Sequence, residues 1–174
     1  MMIHHVYRRD EPGRAPDDAL WLAEDQRRLM LRREMAYHNK KLAAAAHRAG
    51  VVAPEDFSAF TNEGYKGLYG GLTARAMRQR RALPDAINLL DTMGSAELAS
   101  NLFRATQTEQ KMRRDAVRHK EDACRVHYFV GTKVRDAMRD LGGVMPEDLP
   151  VEEHIRAVRR RVQPPRGRVA LKAL

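Results

Sequence analysis

The sequence predicts an all-α fold, a helical bundle dominated by two long helices with shorter helices and a Gly-rich loop between them. Two long segments carry apolar residues at intervals of three and four, which places those residues on one helical face. No segment shows the alternation of apolar and polar residues that a half-buried strand requires, so we expect no sheet. A chain of 174 residues fits one such domain with terminal extensions.

The first long helix is predicted over residues 17–49. Pro16, Asp17 and Asp18 suit a helix start, because proline fits the first turn and carboxylates favour the positive end of the helix dipole. Gly50 ends the pattern. The predicted core face consists of Leu31, Met35, Leu42, Ala46 and Ala49. Residues 1–16 have no such periodicity, and we expect a flexible N-terminal arm.

The segment between the long helices is predicted to hold two short helices and the loop. Pro54 can begin a helix that carries Phe57 and Phe60 into the core. Residues 61–72 contain four glycines, too many for a stable helix interior, and are predicted to form a loop or broken turn. Thr73 can cap the next short helix, which should run to about Leu83.

A second long helix is predicted over residues 95–141, with Ser95 as its N-cap and Gly131 as a kink or a junction between two helices. The two long helices should pack together. We assign residues 17–150 to one helical domain and residues 151–174 to a basic C-terminal tail, in which 151–161 can form a final helix.

The charge distribution favours an acidic partner, with nucleic acid as the first candidate. The net charge is +9 and the isoelectric point is about 10.1. Seven of these charges lie after residue 153, where there is no acid, so the rest of the chain carries only +2. A single cysteine, no apolar run of membrane-spanning length and no signal-peptide pattern predict a cytoplasmic protein without membrane attachment.

No motif for catalysis, a metal or a cofactor stands out. The glycines at 67, 70 and 71 lack the following Gly-Lys-Ser/Thr of a phosphate loop. His119, Cys124 and His127 are not spaced to share one helical edge, as metal ligands would be. We therefore predict a non-enzymatic protein with no metal site and no cofactor.

Polar and basic residues form several candidate binding groups instead. In the glycine-rich segment, tyrosines could stack on bases beside a lysine, or could pack beneath the loop. Residues 101–107 offer donors and acceptors for recognition or for a buried contact between helices. The candidate nucleic-acid or partner-binding residues are Tyr65, Lys66, Tyr69, Arg75, Arg78, Arg80, Arg81, Asn101, Arg104, Gln107, Lys111, Arg113, Arg114, Arg159, Arg160 and Arg161.

Four segments, residues 38–42, 62–71, 93–109 and 141–150, resemble the DNA-damage-inducible protein D family of bacteria. This resemblance implies an SOS-linked cytoplasmic protein that modulates the RecA recombinase filament on single-stranded DNA. Family members typically begin with a domain similar to the N-terminal domain of phage antirepressors. The resemblance covers residues 17–150, so we expect this chain to correspond to the C-terminal half of the family without that domain.

Two functions remain open at this point. The leading hypothesis is a regulator of recombination or repair that contacts the RecA-type filament, single-stranded DNA or both. The alternative is a phage-type antirepressor or a nucleic-acid-binding module that uses its basic helix faces and tail. Amphipathic helices lacking their usual partner domain would expose an apolar stripe, so we also expect a homodimer.

Overall fold

A computed structural model describes residues 15–162, with side chains from Leu22 onward. Within this range the chain forms six α-helices and two 3-10 turns, and it has no strand. The helices are α1 (Ala15–Arg48), α2 (Pro54–Leu68), α3 (Ala74–Arg80), α4 (Ser95–Arg114), α5 (Lys120–Asp140) and α6 (Ile155–Val162). The 3-10 turns are Leu89–Thr92 and Pro146–Asp148. The predicted all-α class is confirmed. The predicted arm, residues 1–16, lies outside the described residues except for its last two positions, which begin α1.

Helix α1 supplies one side of the core. Met35, Leu42, Ala46 and Ala49 are buried on the face that the sequence predicts, and α1 packs chiefly against α4. Gly50 ends the helix with a φ of +89°, a conformation that glycine adopts without steric cost.

Residues 61–68 of the glycine-rich segment are helical, which corrects that part of the predicted loop, whereas residues 69–71 form a turn in which Gly70 and Gly71 have positive φ. Helix α2 continues through Gly64 and Gly67 to Leu68 because it packs closely on α5. A Cβ atom on Gly67 would lie 2.3 Å from the Tyr128 carbonyl oxygen, and one on Gly131 of α5 would lie 2.9 Å from the Gly64 carbonyl oxygen. These glycines allow two helix backbones to approach, and that packing outweighs their poor helix propensity.

The predicted helix over residues 95–141 is two helices, α4 and α5, separated at residues 115–119. Ala116 takes a φ of +49°, the Val117 N–H donates to Met112 O at 3.0 Å, and the Ala116 N–H donates to Arg113 O at 3.3 Å. This pair of bonds is a Schellman motif, which usually contains glycine. Alanine in that position is the reason the break was not visible in the sequence.

The start of α4 also differs from the prediction. Gly94 occupies the N-cap position, and Ser95 is the first helical residue. The Ser95 hydroxyl and backbone N–H donate to the two carboxylate oxygens of Glu24, at 2.8 and 3.0 Å. Ser95 therefore connects α4 to α1 rather than capping its own helix.

Residues 151–162 pack onto the domain instead of beginning a tail. Ile155 and Val158 of α6 are 4% and 0% exposed, and α6 contacts α1. Arg161 donates to the Asp25 carboxylate at 2.6 and 2.8 Å. Residues 163–174, the remainder of the predicted tail, lie outside the described range.

None of the helices described combines the length and the apolar content needed to cross a membrane.

Candidate nucleic-acid and partner interface

A chain of polar side chains crosses the core between α2, α4 and α5. We call it the buried polar network, and its members are Tyr69, Arg81, Glu97, Asn101, Arg104 and His127. One Glu97 carboxylate oxygen accepts hydrogen bonds from the Tyr69 hydroxyl at 2.6 Å and from the Arg81 guanidinium at 2.9 Å. The Asn101 amide donates to the Tyr69 hydroxyl oxygen at 2.8 Å. The network thus joins α4 and α5 to the residues that directly follow α2 and α3.

Burial controls the ionisation of the Glu97 end of this network. Desolvation raises the pKa of Glu97, although the charge of Arg81 and the hydrogen bond from Tyr69 oppose that rise. Desolvation and the neighbouring Glu97 charge raise the pKa of Tyr69 well above its ordinary value. Tyr69 therefore keeps its proton and serves as a permanent hydrogen-bond donor to Glu97.

At the other end of the network, two buried basic side chains, Arg104 and His127, contact each other. Arg104 donates to the Asn101 side-chain oxygen at 3.0 Å and contacts His127 Nε2. His127 Nδ1 lies 2.9 Å from the Phe60 carbonyl oxygen. Because that carbonyl can only accept and Arg104 can only donate, the proton of His127 is on Nδ1. Burial, together with the Arg104 charge, holds the pKa of His127 well below its ordinary value, so the ring is neutral.

This geometry places four predicted binding residues in the interior. Tyr65, Tyr69, Asn101 and Arg104 are buried, and the two tyrosine rings stack with centroids 5.5 Å apart. The proposed stacking of bases on these tyrosines is corrected, because a buried ring cannot act as a surface platform. Lys66 lies at the edge, where its ammonium group donates to Glu63 at 2.7 Å. The buried contact between helices that residues 101–107 also suggested is what forms.

The four arginines of and after α3 do not form one surface. Arg75 is exposed, Arg78 is half-buried, Arg80 pairs with Asp148 at 2.6 Å, and the Arg81 side chain is 3% exposed. Positions three apart, such as Arg75 and Arg78, share a helical face, so burial and ion pairing, rather than spacing, prevent a common basic surface.

The basic residues of α4 are partly neutralised by acids on the same helix or just beyond it. Lys111 and Arg114 donate to Asp115 at 2.6 and 3.0 Å, and they lower its pKa. Arg113 lies 3.7 Å from Glu109. Gln107 is half-buried on the same helix. This end of α4 offers a mixed surface rather than a continuous basic band.

An exposed aromatic ring near α4 was missed by the sequence analysis. Phe129 of α5 is 47% exposed, with the ammonium nitrogens of Lys133 and Lys111 at 5.5 and 5.7 Å from its ring centroid. We call this group the Phe129 site. Its signal in the sequence was an aromatic residue beside, not within, the apolar stripe of α5 and four positions before a lysine. Exposed aromatics flanked by cations are typical of surfaces that stack unpaired bases.

A groove of about 900 Å³ between α1 and α6 is lined by several arginines. Arg33, Arg156 and Arg159 line this basic groove, are exposed, and form no ion pair with another described residue. Apolar side chains, including the 51% exposed Met30, lie among them. Of the other predicted α6 residues, Arg160 is exposed outside the groove lining, while Arg161 is paired with Asp25.

Residues 22–162 contain no group of three or more His, Cys, Asp or Glu side chains that could hold a metal ion. Burial raises the pKa of the half-buried Cys124 thiol. A protonated thiol is a weak nucleophile, so Cys124 is not activated at neutral pH.

These features define an all-helical domain with a buried polar network inside and with exposed basic and aromatic side chains on its surface. The model of the DinD C-terminal domain family matches residues 22–158, and the chain belongs to this family. DNA damage-inducible protein D of Escherichia coli strain K12 is 52% identical over 140 residues, which are 80% of this chain and 51% of that protein. The chain therefore spans about half the length of this curated relative. No solved structure matches the chain.

Proposed function

We propose that this protein is a non-enzymatic component of the DNA-damage response that modulates recombination or repair by engaging a RecA-type filament on single-stranded DNA. The observation that carries the proposal is the basic groove on a member of the DinD family. Three arginines in one groove, without an ion pair among the residues that the structure describes, present planar donors that suit phosphate oxygens, and they avoid the internal neutralisation seen along α4.

The Phe129 site supports a single-stranded substrate. Unpaired bases can stack on an exposed aromatic ring, whereas bases in a duplex are covered by their neighbours. Lys133 beside the ring can meet an adjacent phosphate. A filament on single-stranded DNA offers both phosphates for the basic side chains and accessible bases for the aromatic ring.

The test compares the wild type with the variant Arg33→Ala/Arg156→Ala/Arg159→Ala. Wild-type protein should change the rate of RecA-promoted strand exchange and the stability of the filament on single-stranded DNA. Removing three phosphate contacts should reduce the magnitude of the slope of log affinity against log salt concentration by about 2. About tenfold more of the variant should be needed for the same change in strand exchange and filament stability. Filament binding is measured by fluorescence anisotropy at several salt concentrations.

A matched control removes three other exposed basic residues, in the variant Lys40→Ala/Arg48→Ala/Arg118→Ala. These side chains do not line the basic groove and form no ion pair with a described residue. The control should behave as the wild type. Equal losses in both variants would show that net charge alone matters, and no effect of the wild type at saturation would refute the proposed function.

A second candidate, a module that binds nucleic acid directly, is favoured by the Phe129 site. It requires direct binding of single-stranded DNA without a recombinase. Phe129→Ala should then weaken that binding by about 1–3 kcal/mol for the lost stacking, while Phe129→Trp should preserve it. Binding only to the recombinase-coated strand would favour the first function over this one.

A further inference from the structure

A second, smaller cleft lies where α1, α2, α4 and α5 meet. Its volume is about 280 Å³, close to the lower end of the range for small-molecule sites, about 300–1,000 Å³. Phe57, Phe60 and Leu42 give it apolar walls, and Arg104 and His127 are polar parts of the lining. Apolar walls with a few fixed polar groups are the usual composition of a ligand site.

Arg104 carries a charge that the described residues do not neutralise. Its hydrogen-bond partners, Asn101 and His127, are both neutral, and the Tyr65 ring lies 5.5 Å from the guanidinium carbon. Only two of its five N–H donors are used, and Nε has no partner among the described residues. Arg81, the other buried arginine of the network, has a carboxylate partner in Glu97.

The contrast between these two arginines points to an anion. Burying a guanidinium without a counter-charge costs several kcal/mol, and arginine cannot lose its proton to escape that cost. Arg104 is only 4% exposed and contributes to the cleft lining, so a bound oxyanion in the cleft would supply the missing charge. His127 cannot supply it, since its ring is a neutral hydrogen-bond acceptor toward Arg104.

We propose that this cleft binds a small organic anion, whose carboxylate or phosphate oxygens pair with Arg104 while its apolar or aromatic body lies against Phe57 and Phe60. Asn39 lines the cleft from α1 and makes no hydrogen bond with any residue of the described range, so its amide is available to the same ligand. This site is independent of the basic groove and of the proposed function.

Ligand-observed saturation-transfer NMR tests the cleft with benzoate, indole-3-acetate and deoxyadenosine monophosphate at millimolar concentration. Benzamide is the uncharged counterpart of benzoate. At least one anion should bind and benzamide should not. At a hundredfold excess over Kd, the bound anion should raise the Tm by about 5–10 °C. Absence of binding by all three anions would overturn the proposal.

Two variants locate the binding. Arg104→Met removes the charge and should weaken binding at least about tenfold, the loss expected for a buried charge-assisted bond. Asn39→Leu should obstruct the cleft while leaving the Arg104 contacts in place, so it tests the site even if Arg104→Met fails to fold. Gln110→Leu, on an exposed position of α4, is the control.

Undiminished binding in the folded Asn39→Leu variant would place the ligand elsewhere and refute the site. Another result would also refute it: no anion binding by the wild type, combined with loss of recombination activity in Asn39→Leu. The cleft would then accept an acidic side chain of a partner protein rather than a small ligand.

Discussion

His127 shows how a single buried side chain gives the protein a pH-dependent stability. Its ring sits between a carbonyl acceptor and a guanidinium donor, an arrangement that only the neutral form satisfies. Protonation would place a second positive charge beside Arg104 without water to screen it. The folded state therefore resists a proton that the unfolded chain accepts.

The expected result is a loss of stability as the pH falls below about 6.5, the ordinary pKa of histidine. Because the folded pKa is lower, the unfolded state binds more protons in this window, and unfolding becomes easier with acid. Between pH 7.5 and 5.5 the contribution of His127 should fall by about 1 kcal/mol. Urea unfolding of wild type and His127→Gln at both pH values measures it.

His47→Gln is the control for that measurement, because His47 is exposed on α1. It should retain the pH dependence of the wild type. An unchanged pH dependence in His127→Gln would contradict the assignment of a neutral ring.

Glu97 should be far more sensitive to truncation than to neutralisation. Glu97→Ala leaves the buried Arg81 guanidinium without its carboxylate and should cost about 3–5 kcal/mol. Glu97→Gln retains an oxygen that can accept from Tyr69 and Arg81, so it should cost less. The free energies of unfolding in urea provide the comparison, and equal costs would show that the lost carboxylate charge, rather than the hydrogen bonds to residue 97, accounts for the destabilisation.

The sequence could suggest which residues take part in the buried polar network, but not which of them contact each other. Tyr65, Tyr69, Asn101 and Arg104 stood out because polar and aromatic groups are concentrated in two segments of the chain. Their burial depends on how α2, α4 and α5 pack, which one-dimensional spacing does not determine. His127 was considered only as a metal ligand, and nothing in its neighbourhood along the chain indicated Arg104 as its partner.

At the scale of elements, the contact of α2 with α5 depends on glycines, which have no side chain to hold the two helices apart. Gly67→Ala should destabilise the fold by about 1–3 kcal/mol, because its methyl group would overlap the backbone of α5. Helix propensity alone predicts the opposite, a gain of about 1 kcal/mol. Chemical unfolding of the variant therefore distinguishes packing from propensity by the sign of the change.

Ser58→Ala on the exposed side of α2 is the matched control. It improves propensity without adding an atom at the α5 contact, so it should be neutral or slightly stabilising. A stabilising Gly67→Ala would mean that the two helices do not approach as closely as described.

Helix boundaries were predicted well where the stopping residue is chemically distinctive. Gly50 and Gly142 end α1 and α5 in left-handed conformations, as their residue type suggests. Ala82 and Ala116 adopt the same conformation after α3 and α4, where alanine pays a steric cost that tertiary packing must offset. A sequence pattern cannot reveal a boundary that is imposed by packing.

On the scale of the whole molecule, α6 belongs to the core. Val158→Ala should destabilise the domain by about 2 kcal/mol, since it removes two buried methyl groups and leaves a cavity against α1. The corresponding fall in Tm is about 4–8 °C. Val151→Ala, at a position 44% exposed, should leave the Tm within about 1 °C. Thermal unfolding followed by circular dichroism measures both, and an unaffected Val158→Ala would show that α6 only rests on the surface.

The integration of α6 changes how the positive charge of the chain should be tested. Deleting residues 154–174 would remove basic side chains and also expose the core beside α1. Asp25, only 4% exposed, would lose its arginine partner. Point substitutions in the basic groove separate binding from stability, which a deletion cannot do. The seven positive charges recognised in the sequence are thus divided between a packed helix and the residues beyond it.

Arg28 on α1 donates to the Met93 carbonyl at 2.9 Å and to the Glu153 carbonyl at 2.7 Å, partners 65 and 125 positions away along the chain. Such distant pairings must overcome a large loop-closure entropy, and they slow folding. During synthesis, α1 leaves the ribosome long before residue 153 exists, at translation rates of about 5–20 residues per second. The first helix to be made therefore gains its contact with residue 153 only after nearly all of this domain has been translated.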